Sequence, residues 1–571
     1  MFKNIFFLYK YIIKNFKSKI IKFQILIILN SILQVLSIIS FGPLILKITK
    51  DENFKNYQDL YFHNFNDEYF LILIIFFVIL IFIISNIFNI IVAKNTLLLG
   101  QKIGLKLVSD LFSHIVHKDY SYFLKTNSSE IISKITLESG RVINNIIVPM
   151  ILFFSKLFMS FFIFAGLVII NIKISLFVLI FFIISYLVLF SFQKETLKKN
   201  SQLISKSVKS RQKIIAETFN NIRETILFNA RDFFLNIFNN SNKEIAISIA
   251  KNQFLSVMPK YLIEIFTFLL IMIVIFILIK INEFINYLPM IGVYMIAAYK
   301  LLPALQNIAS SYSSIKGNYS ALNGMLDDIK HFNEKSSNLI SKPKYKNINF
   351  NSLAFKKINF SYGESKKILR NINFSILKNR VVGLTGKTGV GKSTFIDIFC
   401  GLLEPVSGKI ILNNKEIDYK QYKIVNDLVS IVPQRTNLLD DSLEKNILLG
   451  RKKIKNHRNQ LEYIKKICLL DYIDNNLDKW DTIVGENGSR LSGGQVQRLT
   501  IARAIYNKPK LLILDEATSA LDEDTEKEIL KNLINFKPKM TILIISHNKN
   551  ILELCDEIYE IKNQEIIKIK K

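Results

Sequence analysis

A glycine-rich stretch from Gly386 to Thr394 has the residue types of a phosphate-binding loop. Its letters, GKTGVGKST, fit the pattern G-x-x-x-x-G-K-[ST], in which small residues let backbone N–H groups approach phosphates at the start of a helix. Lys392 can reach the outer phosphates as a point charge, and the Ser393 hydroxyl suits a magnesium ion that bridges them. We therefore expect phosphate contacts from Gly386, Lys387, Thr388, Gly389, Val390, Gly391, Lys392, Ser393 and Thr394.

Two adjacent carboxylates stand at the end of an apolar run further along the chain. The run from Lys510 to Leu514 has the composition of a buried parallel strand, and Asp515 and Glu516 follow at its carboxyl end. In folds built on parallel strands, ligands bind at that edge of the sheet. We expect Asp515 to hold magnesium through water and Glu516 to polarise the attacking water, because in-line phosphoryl transfer depends on positioning and charge.

A third motif, LSGGQ at Leu491 to Gln495, lies between the other two. The three motifs in this order resemble the ATP-binding cassette family, over roughly Phe350 to Lys571. The resemblance implies ATP and Mg²⁺ as cofactors, with Tyr362 stacked on adenine and Gln434 in the loop that contacts magnesium and the membrane domain. It also implies that His547 contacts the terminal phosphate, so that Gln434 and His547 join Glu516 in the catalytic set.

The resemblance further implies a site that is shared between two subunits. In the family, the signature residues close over the nucleotide of the opposite subunit, and these correspond here to Ser492, Gly493, Gly494 and Gln495. Asp522 matches the loop that crosses the dimer interface. The sequence carries one phosphate loop and one LSGGQ motif, so we expect a symmetric homodimer with two equivalent sites. A heterodimer with a different chain stays open.

The first half of the chain is far more apolar than a soluble domain. Half of the 571 residues are hydrophobic, and the mean hydropathy of the whole chain is +0.27. The long apolar runs lie before Ser310. The sequence predicts six helices long enough to cross a bilayer, which takes about 20 residues each. These lie near Phe23 to Leu46, Tyr69 to Ala93, Ile146 to Ile170, Ile174 to Phe190, Tyr261 to Ile279 and Ile285 to Leu305.

Lysine placement predicts the orientation of these helices. Lys3, Lys10, Lys14, Lys17, Lys19 and Lys22 precede the first run, which by the positive-inside rule places the N-terminus in the cytoplasm. Two long helical segments then extend on the cytoplasmic side, and we expect short coupling helices at their tips, near Tyr120 to Lys134 and Asn221 to Ala230. The opening segment leads into a full-length span and lacks a small-residue cleavage pattern, so it does not resemble a cleaved signal peptide.

The predicted fold class is a multi-domain membrane protein, with an all-α transmembrane domain of exporter type followed by an α/β P-loop domain. We place the transmembrane domain at residues 1–329, a lysine-rich linker at 330–347 and the ATP-binding cassette at 348–571. A transmembrane domain fused ahead of the cassette on one chain favours an exporter over an importer. The expected location is a bacterial inner membrane, with the cassette in the cytoplasm.

Composition bears on partners and on redox state. The formal charge of +29 at pH 7 would suit nucleic acid, but lysine is abundant throughout the chain. No basic module with interleaved aromatic residues occurs, so we expect no nucleic acid and assign the juxtamembrane lysines to anionic lipid. Cys400, Cys468 and Cys555 are widely spaced and predict free thiols in a reducing compartment. Trp480 is interpreted as a packing residue.

Ionisable residues within the predicted spans are candidates for the transport pathway, because a charge in lipid is costly. Lys156, Glu264 and Lys300 are such residues, and snorkelling or an internal ion pair is the alternative for each. The stretch from Ala297 to Ile315 resembles the sixth span of flippases that move polyprenyl-pyrophosphate-linked oligosaccharides in bacterial protein N-glycosylation. The sequence departs from that group at the expected head-group contact, because lysine stands here where an arginine would bind a pyrophosphate with two parallel hydrogen bonds.

The resemblance to these flippases extends loosely to the loop from Thr49 to Glu68, which is predicted to be external. Its mixture of charges and aromatic residues fits either an amphipathic helix on the outer leaflet or a plain solvated loop. The sequence therefore favours a flippase of a lipid-linked saccharide that works by alternating access. An exporter of another lipid, a peptide or a toxic amphiphile is the main alternative, and a soluble or regulatory ATPase is argued against by the six runs.

Overall fold

The computed structural model describes residues 2–48, 67–280, 284–335, 350–363, 367–422, 428–475, 477–536 and 539–570. The chain forms two compact units, Met1–Lys118 with Tyr122–Ile340, and Asp119–Ser121 with Ser341–Lys571. Most of the predicted linker (336–347) and most of the predicted external loop (49–66) lie outside the described residues. The predicted domain boundaries therefore stay predictions.

The first unit is helical over the residues that the structure describes. Long runs of Ile, Leu and Phe with few helix breakers favour continuous helices. The helices are α1 (Phe2–Ile39), α2 (Phe41–Ile48), α3 (Asp67–Val116), α4 (Tyr120–Lys125), α5 (Ser128–Ser133), α6 (Ser139–Val142), α7 (Val148–Ile170), α8 (Ile172–Asn220), α9 (Ile222–Leu227), α10 (Arg231–Lys280), α11 (Phe284–Gly317), α12 (Tyr319–Asn323) and α13 (Leu326–Lys335). Two π-helical turns, Lys134–Glu138 and Ile143–Ile147, flank α6.

Several helices are much longer than a bilayer is thick. Helix α3 has 50 residues, which at 1.5 Å per residue is about 75 Å, against about 30 Å of hydrocarbon. Phe76, Ile90, Phe161 and Phe177 are exposed on α3, α7 and α8, as expected for side chains that face lipid. The short helices α4, α5 and α9 lie where the coupling helices were predicted.

Five segments of the described residues are long and apolar enough to cross a membrane, Asn4–Lys47, Glu68–Val116, Ser128–Ile170, Ile172–Asn220 and Arg231–Ile273. The sixth predicted span falls within α11, which is a continuous helix but is not among these five. The predicted count of six is therefore not confirmed. The third and fourth of these segments are joined by a tight turn, because Asn171 alone separates α7 from α8 and caps α8 by accepting a hydrogen bond from the Ile174 N–H.

The second unit is an α/β domain with two sheets. Its strands are β1 (Ser352–Phe360), β2 (Leu369–Leu377), β3 (Val381–Thr385), β4 (Ser407–Leu412), β5 (Lys415–Ile417), β6 (Val429–Val432), β7 (Leu511–Asp515), β8 (Thr541–Ile545), β9 (Glu557–Lys562) and β10 (Glu565–Lys570). The antiparallel sheet has the order β2-β1-β4-β5, and the larger sheet has the order β10-β9-β3-β8-β7-β6. In the larger sheet β9, β3, β8, β7 and β6 are parallel.

Helices cover the larger sheet. They are α14 (Lys392–Phe399), α15 (Tyr419–Tyr422), α16 (Leu443–Leu448), α17 (His457–Ile467), α18 (Gly493–Ile505), α19 (Glu523–Ile534) and α20 (Lys549–Leu552). Alternate residues of a strand point to opposite faces, so β7 contributes Leu512 and Leu514 to one hydrophobic core, and Leu511 and Ile513 to the other. Burial on both faces explains why this strand reads as a continuous apolar run.

Cys400, Cys468 and Cys555 are buried in this unit, and none of them forms a disulfide within the described residues. The reducing compartment stays a prediction. Trp480 packs against the core that contains Leu512, and its indole N–H donates to Glu462 at 3.2 Å.

Candidate nucleotide site

Four neighbouring parallel strands place the predicted catalytic residues at one edge of the sheet. In the order β3-β8-β7-β6, these strands lead directly into the phosphate loop, His547, Glu516 and Gln434. Because the carboxyl ends of parallel strands meet at the same edge, residues far apart in the sequence converge there. The Glu516 N–H donates to the carbonyl of Ile545 at 3.1 Å, which fixes the end of β7 against β8.

The phosphate loop depends on glycine at two positions. Gly386 has a φ of +146°, and a Cβ added there would lie 2.6 Å from the carbonyl oxygen of Ile561. Gly391 caps α14 with a φ of +106°, which favours glycine. Lys387, Thr388, Gly389 and Ser393 are exposed along the loop, whereas Thr394 is buried. The open rim of backbone and side-chain donors at the start of a helix fits phosphate binding.

A chain of contacts joins the four polar side chains of the site. The Lys392 ammonium donates to Gly386 O at 2.5 Å and lies 2.6 Å from His547 Nε2. Gln434 donates to Glu516 at 2.6 Å, and Glu516 Oε1 is 3.4 Å from His547 Nε2. An ammonium group can only donate, so Nε2 of His547 accepts from Lys392, and the ring proton then sits on Nδ1. The site thus holds Lys392 close to where the outer phosphates are predicted to bind.

Carboxylates crowd the site behind the phosphate loop. Burial raises the pKa of Asp515 to about 6, and the negative charge of Glu516 adds to this effect, while Lys392 opposes it. Burial, followed by the charge of Asp515, also raises the pKa of Asp397 on α14 to about 6. Burial lowers the pKa of Lys392, against the effect of Glu516 and Asp515.

A divalent cation would relieve this carboxylate crowding. The donors that fit it are the Asp515 carboxylate, the Ser393 hydroxyl and the Gln434 side-chain carbonyl, all of them hard oxygen ligands. Within the described ranges, no group of three or more His, Cys, Asp or Glu residues forms a metal site. Mg²⁺ is usually held by one or two carboxylates together with substrate phosphates, and Asp515 would supply such a carboxylate.

Glu516 is held in an unusual backbone conformation. Its φ is +49°, a left-handed value that costs a residue other than glycine about 1–3 kcal/mol and is concentrated at functional sites. The turn directs the chain away from β7 at the point where the carboxylate meets Gln434 and His547. We take this local strain as evidence that the position of the carboxylate matters.

The signature motif begins helix α18. The Ser492 side chain accepts from Gln495 N at 3.3 Å, and the Gln495 side chain accepts from Ser492 N at 2.9 Å, which forms a capping box. Ser492 and Gly493 are exposed, while Gly494 and Gln495 are partly buried. Among the described residues, no hydrogen bond joins this motif to the phosphate loop of the same chain. The predicted role of the motif at the nucleotide of a second subunit stays a prediction.

Gln497 links the signature helix to the loop after Glu516. Its side-chain nitrogen donates to Ser519 Oγ at 3.2 Å, and its carbonyl oxygen accepts from Ala520 N at 3.0 Å. Asp522 then caps α19 by accepting from Thr525 N at 3.0 Å. The sequence reasoning missed both Gln497 and Asp397. Asp397 could have been noticed in the sequence, because it is a single acidic residue within the apolar run FIDIFC.

Tyr362 lies just beyond β1, on the phosphate-loop side of the unit. Its ring packs edge-on against Phe360 with the centroids 5.0 Å apart, and its hydroxyl is 3.4 Å from Thr394 Oγ1. The side chain is 39% exposed. An exposed ring anchored beside the loop fits the predicted stacking on a base.

The three candidate residues of the transport pathway lie in different surroundings. Lys300 is buried and donates to Gln34 Oε1 at 2.7 Å, to Ser37 Oγ and to Ser85 Oγ at 3.5 Å. Lys156 is half-buried beside the Met159 sulfur, and Glu264 is exposed. No hydrogen bond or ion pair in the described part of the chain joins these three residues to one another. Their predicted shared role in substrate binding stays a prediction.

Comparisons with known proteins match both units. Residues 20–299 match the family described as ABC transporter transmembrane region, and residues 369–519 match the family described as ABC transporter. A relative described as ABC transporter B family member 6, from Dictyostelium discoideum, is 31% identical over 47% of this chain and 42% of its own length. An ATP-dependent lipid A-core flippase from Haemophilus influenzae is 35% identical over 38% of this chain and 37% of its own.

Longer matches cover more of the chain at lower identity. Lactococcin-G-processing and transport ATP-binding protein LagD from Lactococcus lactis is 29% identical over 81% of this chain and 65% of its own length. A bacterial Atm1-family ABC exporter with ATP bound has a TM-score of 0.78, with 18% identity and coverage of 96% of this chain and 94% of that chain. At that identity the likeness supports the fold alone. The chain spans less than half the length of the Dictyostelium and Haemophilus relatives.

Proposed function

We propose that this chain, an ABC exporter in architecture with a transmembrane region fused to an ATP-binding domain, is one half of an ATP-driven exporter. The observation that carries the proposal is the convergence of the phosphate loop, Glu516, Gln434 and His547 at one sheet edge. These residues can bind the terminal phosphate, orient a water and accept its proton.

Each residue of the site has a part in the proposed hydrolysis. Lys392 leaves His547 and pairs with the outer phosphates, and His547 then contacts the terminal phosphate. Glu516 accepts the proton of the attacking water, and Gln434 holds that carboxylate in place. Ser393, Asp515 and Gln434 would hold Mg²⁺, which supplies positive charge that offsets the charge developing on the phosphates.

We further propose that two copies of the chain form the working unit. The exposed residues Ser492 and Gly493 would cover the nucleotide bound to the partner's phosphate loop, and ATP would thereby close the dimer. Closure and release would drive the transmembrane helices between inward-facing and outward-facing states. A heterodimer would work in the same way, and the mass of the purified complex distinguishes the two.

For the substrate, we propose a lipid-linked saccharide with a pyrophosphate group. The buried ammonium of Lys300 supports a cationic pathway, because its acceptors in the described structure are neutral amide and hydroxyl oxygens. A relative described as a lipid A-core flippase supports lipid transport. Peptide export is the second candidate, favoured by the long match to a lactococcin-G transport protein.

Reconstitution in liposomes tests this proposal. The purified chain is supplied with ATP and either a polyprenyl-pyrophosphate oligosaccharide, a plain phospholipid or a peptide, and ATP-dependent movement of each is followed. We expect movement of the saccharide lipid and its loss in Lys300→Ala, with basal ATP hydrolysis retained. Lys173→Ala, at the outer end of α8, is the matched control. Movement of the peptide alone would refute the lipid substrate and leave the ATP-driven exporter standing.

A further inference from the structure

A cavity lined by three lysines lies below the predicted membrane spans. It has a volume of about 580 Å³ and is formed where the second half of α8 meets the end of α11 and helix α12. We call it the lysine pocket, and its lining residues are Lys194, Lys198, Ser201, Gln202, Lys316, Tyr319, Ser320 and Asn323. None of the predicted substrate residues lines it.

The pocket concentrates positive charge without a paired acid. Lys316 is 9% exposed, and the tyrosine hydroxyl of Tyr312 lies 3.5 Å from its ammonium group. Burial lowers the pKa of Lys316, and the positive charges of Lys194 and Lys198 lower it further. In the described part of the chain, no carboxylate forms an ion pair with any of the three lysines. Like charges held together in this way favour the binding of an anion.

The remaining wall of the pocket is a fixed set of polar groups. Ser320 lies 2.8 Å from the hydroxyls of both Ser201 and Ser205. Glu138 is also nearby, but Arg141 binds both of its carboxylate oxygens at 3.0 and 3.1 Å, so this acid is already neutralised.

A second polar anchor comes from the N-terminal helix. The side-chain nitrogen of Asn4 donates to Tyr319 OH at 2.6 Å and to Asn323 Oδ1 at 2.9 Å. That leaves the Tyr319 proton and the Asn323 amide group as further donors. Ammonium, hydroxyl and amide donors around one cavity fit the oxygens of a phosphate group.

The position along α8 indicates where such an anion would come from. Lys194 and Lys198 follow the end of the predicted span at Phe190 by four and eight residues, or about 6 and 12 Å of helix. The polar layer on each side of a bilayer is about 5–8 Å thick. The upper lysine therefore stands at the level of lipid head groups, on the side predicted to be cytoplasmic, and the other two lie below it.

We propose that the lysine pocket binds the phosphate or pyrophosphate group of an amphiphile drawn from the adjacent leaflet. This inference rests on the proposed function as a lipid exporter, and it names the group on the substrate that the chain recognises first. Free phosphates share the same chemistry, and the experiment below separates the two sources.

The test measures binding of farnesyl pyrophosphate, farnesol and inorganic pyrophosphate to the purified full chain in nanodiscs. Saturating Mg-ADP is present throughout, so that the cassette sites are filled. We expect farnesyl pyrophosphate to bind more tightly than the other two. Substitution of each pocket lysine by glutamine removes a charged hydrogen bond and should weaken that binding about ten-fold. Lys199→Gln removes the same charge from a neighbouring position of α8 outside the pocket and should change nothing.

The outcomes separate this proposal from the proposed function. Unchanged affinity in Lys194→Gln/Lys198→Gln overturns the phosphate pocket, and because both residues are exposed, this variant is expected to fold. Equal binding of inorganic and farnesyl pyrophosphate supports phosphate recognition but overturns the lipid source. Neither binding result needs ATP turnover. If the parent chain binds farnesyl pyrophosphate through the pocket lysines but does not move a lipid across the membrane with ATP, the exporter function is refuted and the pocket stands.

Discussion

Replacement of Glu516 by glutamine tests the central assignment of the nucleotide site. The substitution keeps the shape of the side chain and removes its negative charge. In the structure, Gln434 donates to one oxygen of Glu516 at 2.6 Å, and the retained carbonyl oxygen of the new amide can still accept that bond. Glutamine also tolerates the φ of +49° no worse than glutamate does. The stability of the fold should therefore change by no more than about 0.5 kcal/mol.

Glu516→Gln should lower the rate of ATP hydrolysis and leave the affinity for ATP unchanged. A positioned general base contributes about 10²–10⁴-fold to a rate, so ATP turnover should fall by about that factor. The charge of Glu516 helps to raise the pKa of Asp515 to about 6. Its removal lowers that pKa, which keeps Asp515 ionised at neutral pH and preserves metal affinity. Bound ATP should therefore persist, and the proposed ATP-bound dimer should accumulate.

Phosphate release and nucleotide binding, measured on the purified chain in nanodiscs, check both halves of this prediction. Glu528→Gln is the matched control, because Glu528 is an exposed glutamate on α19 away from the strand edge. Turnover within three-fold of the parent protein would refute the role of Glu516 as the base. A joint loss of binding and turnover would show that its carboxylate is needed to build the site.

Three further substitutions probe other parts of the chain. Gly386→Ala places a Cβ 2.6 Å from a backbone oxygen at a φ of +146°, so ATP binding and the melting temperature should both fall. Gln497→Ala removes two hydrogen bonds at the signature helix, and because Ser519 and Ala520 are exposed to water, the loss should cost about 0.5–1.5 kcal/mol in urea unfolding of the second unit. Burial alone would raise the pKa of Asp328, but Lys118 and Lys134 lower it below its ordinary value. The stability from Asp328 is therefore present above the unfolded pKa, about 3.9, and is lost as the pH falls through the folded pKa. Asp328→Asn should abolish that dependence and destabilise the first unit by about 1.5–3 kcal/mol, because the partly exposed ammonium groups of Lys118 and Lys134 lose the carboxylate that they share.

Each of these three predictions has its own control. Gly140→Ala adds a Cβ in open space and should leave ATP binding intact; an equal effect of both glycine substitutions would contradict the steric reasoning. Gln497→Glu keeps the acceptor for Ala520 and should recover part of the loss. Asp327→Asn removes an exposed acid next to Asp328, and its melting curve between pH 3 and 6 should follow that of the parent chain.

The sequence predicted the strand edge well, because the relevant signals are local. An apolar run buried on both faces of a sheet identifies β7, and the residue that follows a parallel strand must lie at the ligand edge. Asp397 and Gln497 were missed because their importance depends on tertiary neighbours. Asp397 matters through Asp515, more than a hundred residues away, and the partners of Gln497 belong to a loop with no periodicity.

The transmembrane part was predicted less completely for a related reason. Hydropathy locates apolar helices, but a residue that lines a pathway is chosen by packing between helices. Lys300 was singled out because a charge within a span is conspicuous in the sequence, and the structure surrounds it with neutral acceptors from α1 and α3. The lysines at 194, 198 and 316 did not stand out in a chain so rich in lysine, and only the approach of α8 to α11 brings them together.

The two cationic positions on α11 suggest an order of events for an anionic head group. Lys316 and Lys300 are sixteen residues apart on one continuous helix, or about 24 Å. Lys300 lies five residues inside the predicted cytoplasmic end of the sixth span at Leu305, or about 7.5 Å, so a phosphate that enters at the lysine pocket would meet the second ammonium soon after it enters the hydrocarbon. Substitutions in the lysine pocket and at Lys300 should then affect different steps of transport. Loss of the pocket lysines should weaken binding in the resting state, whereas Lys300→Ala should leave that binding intact and slow movement across the membrane.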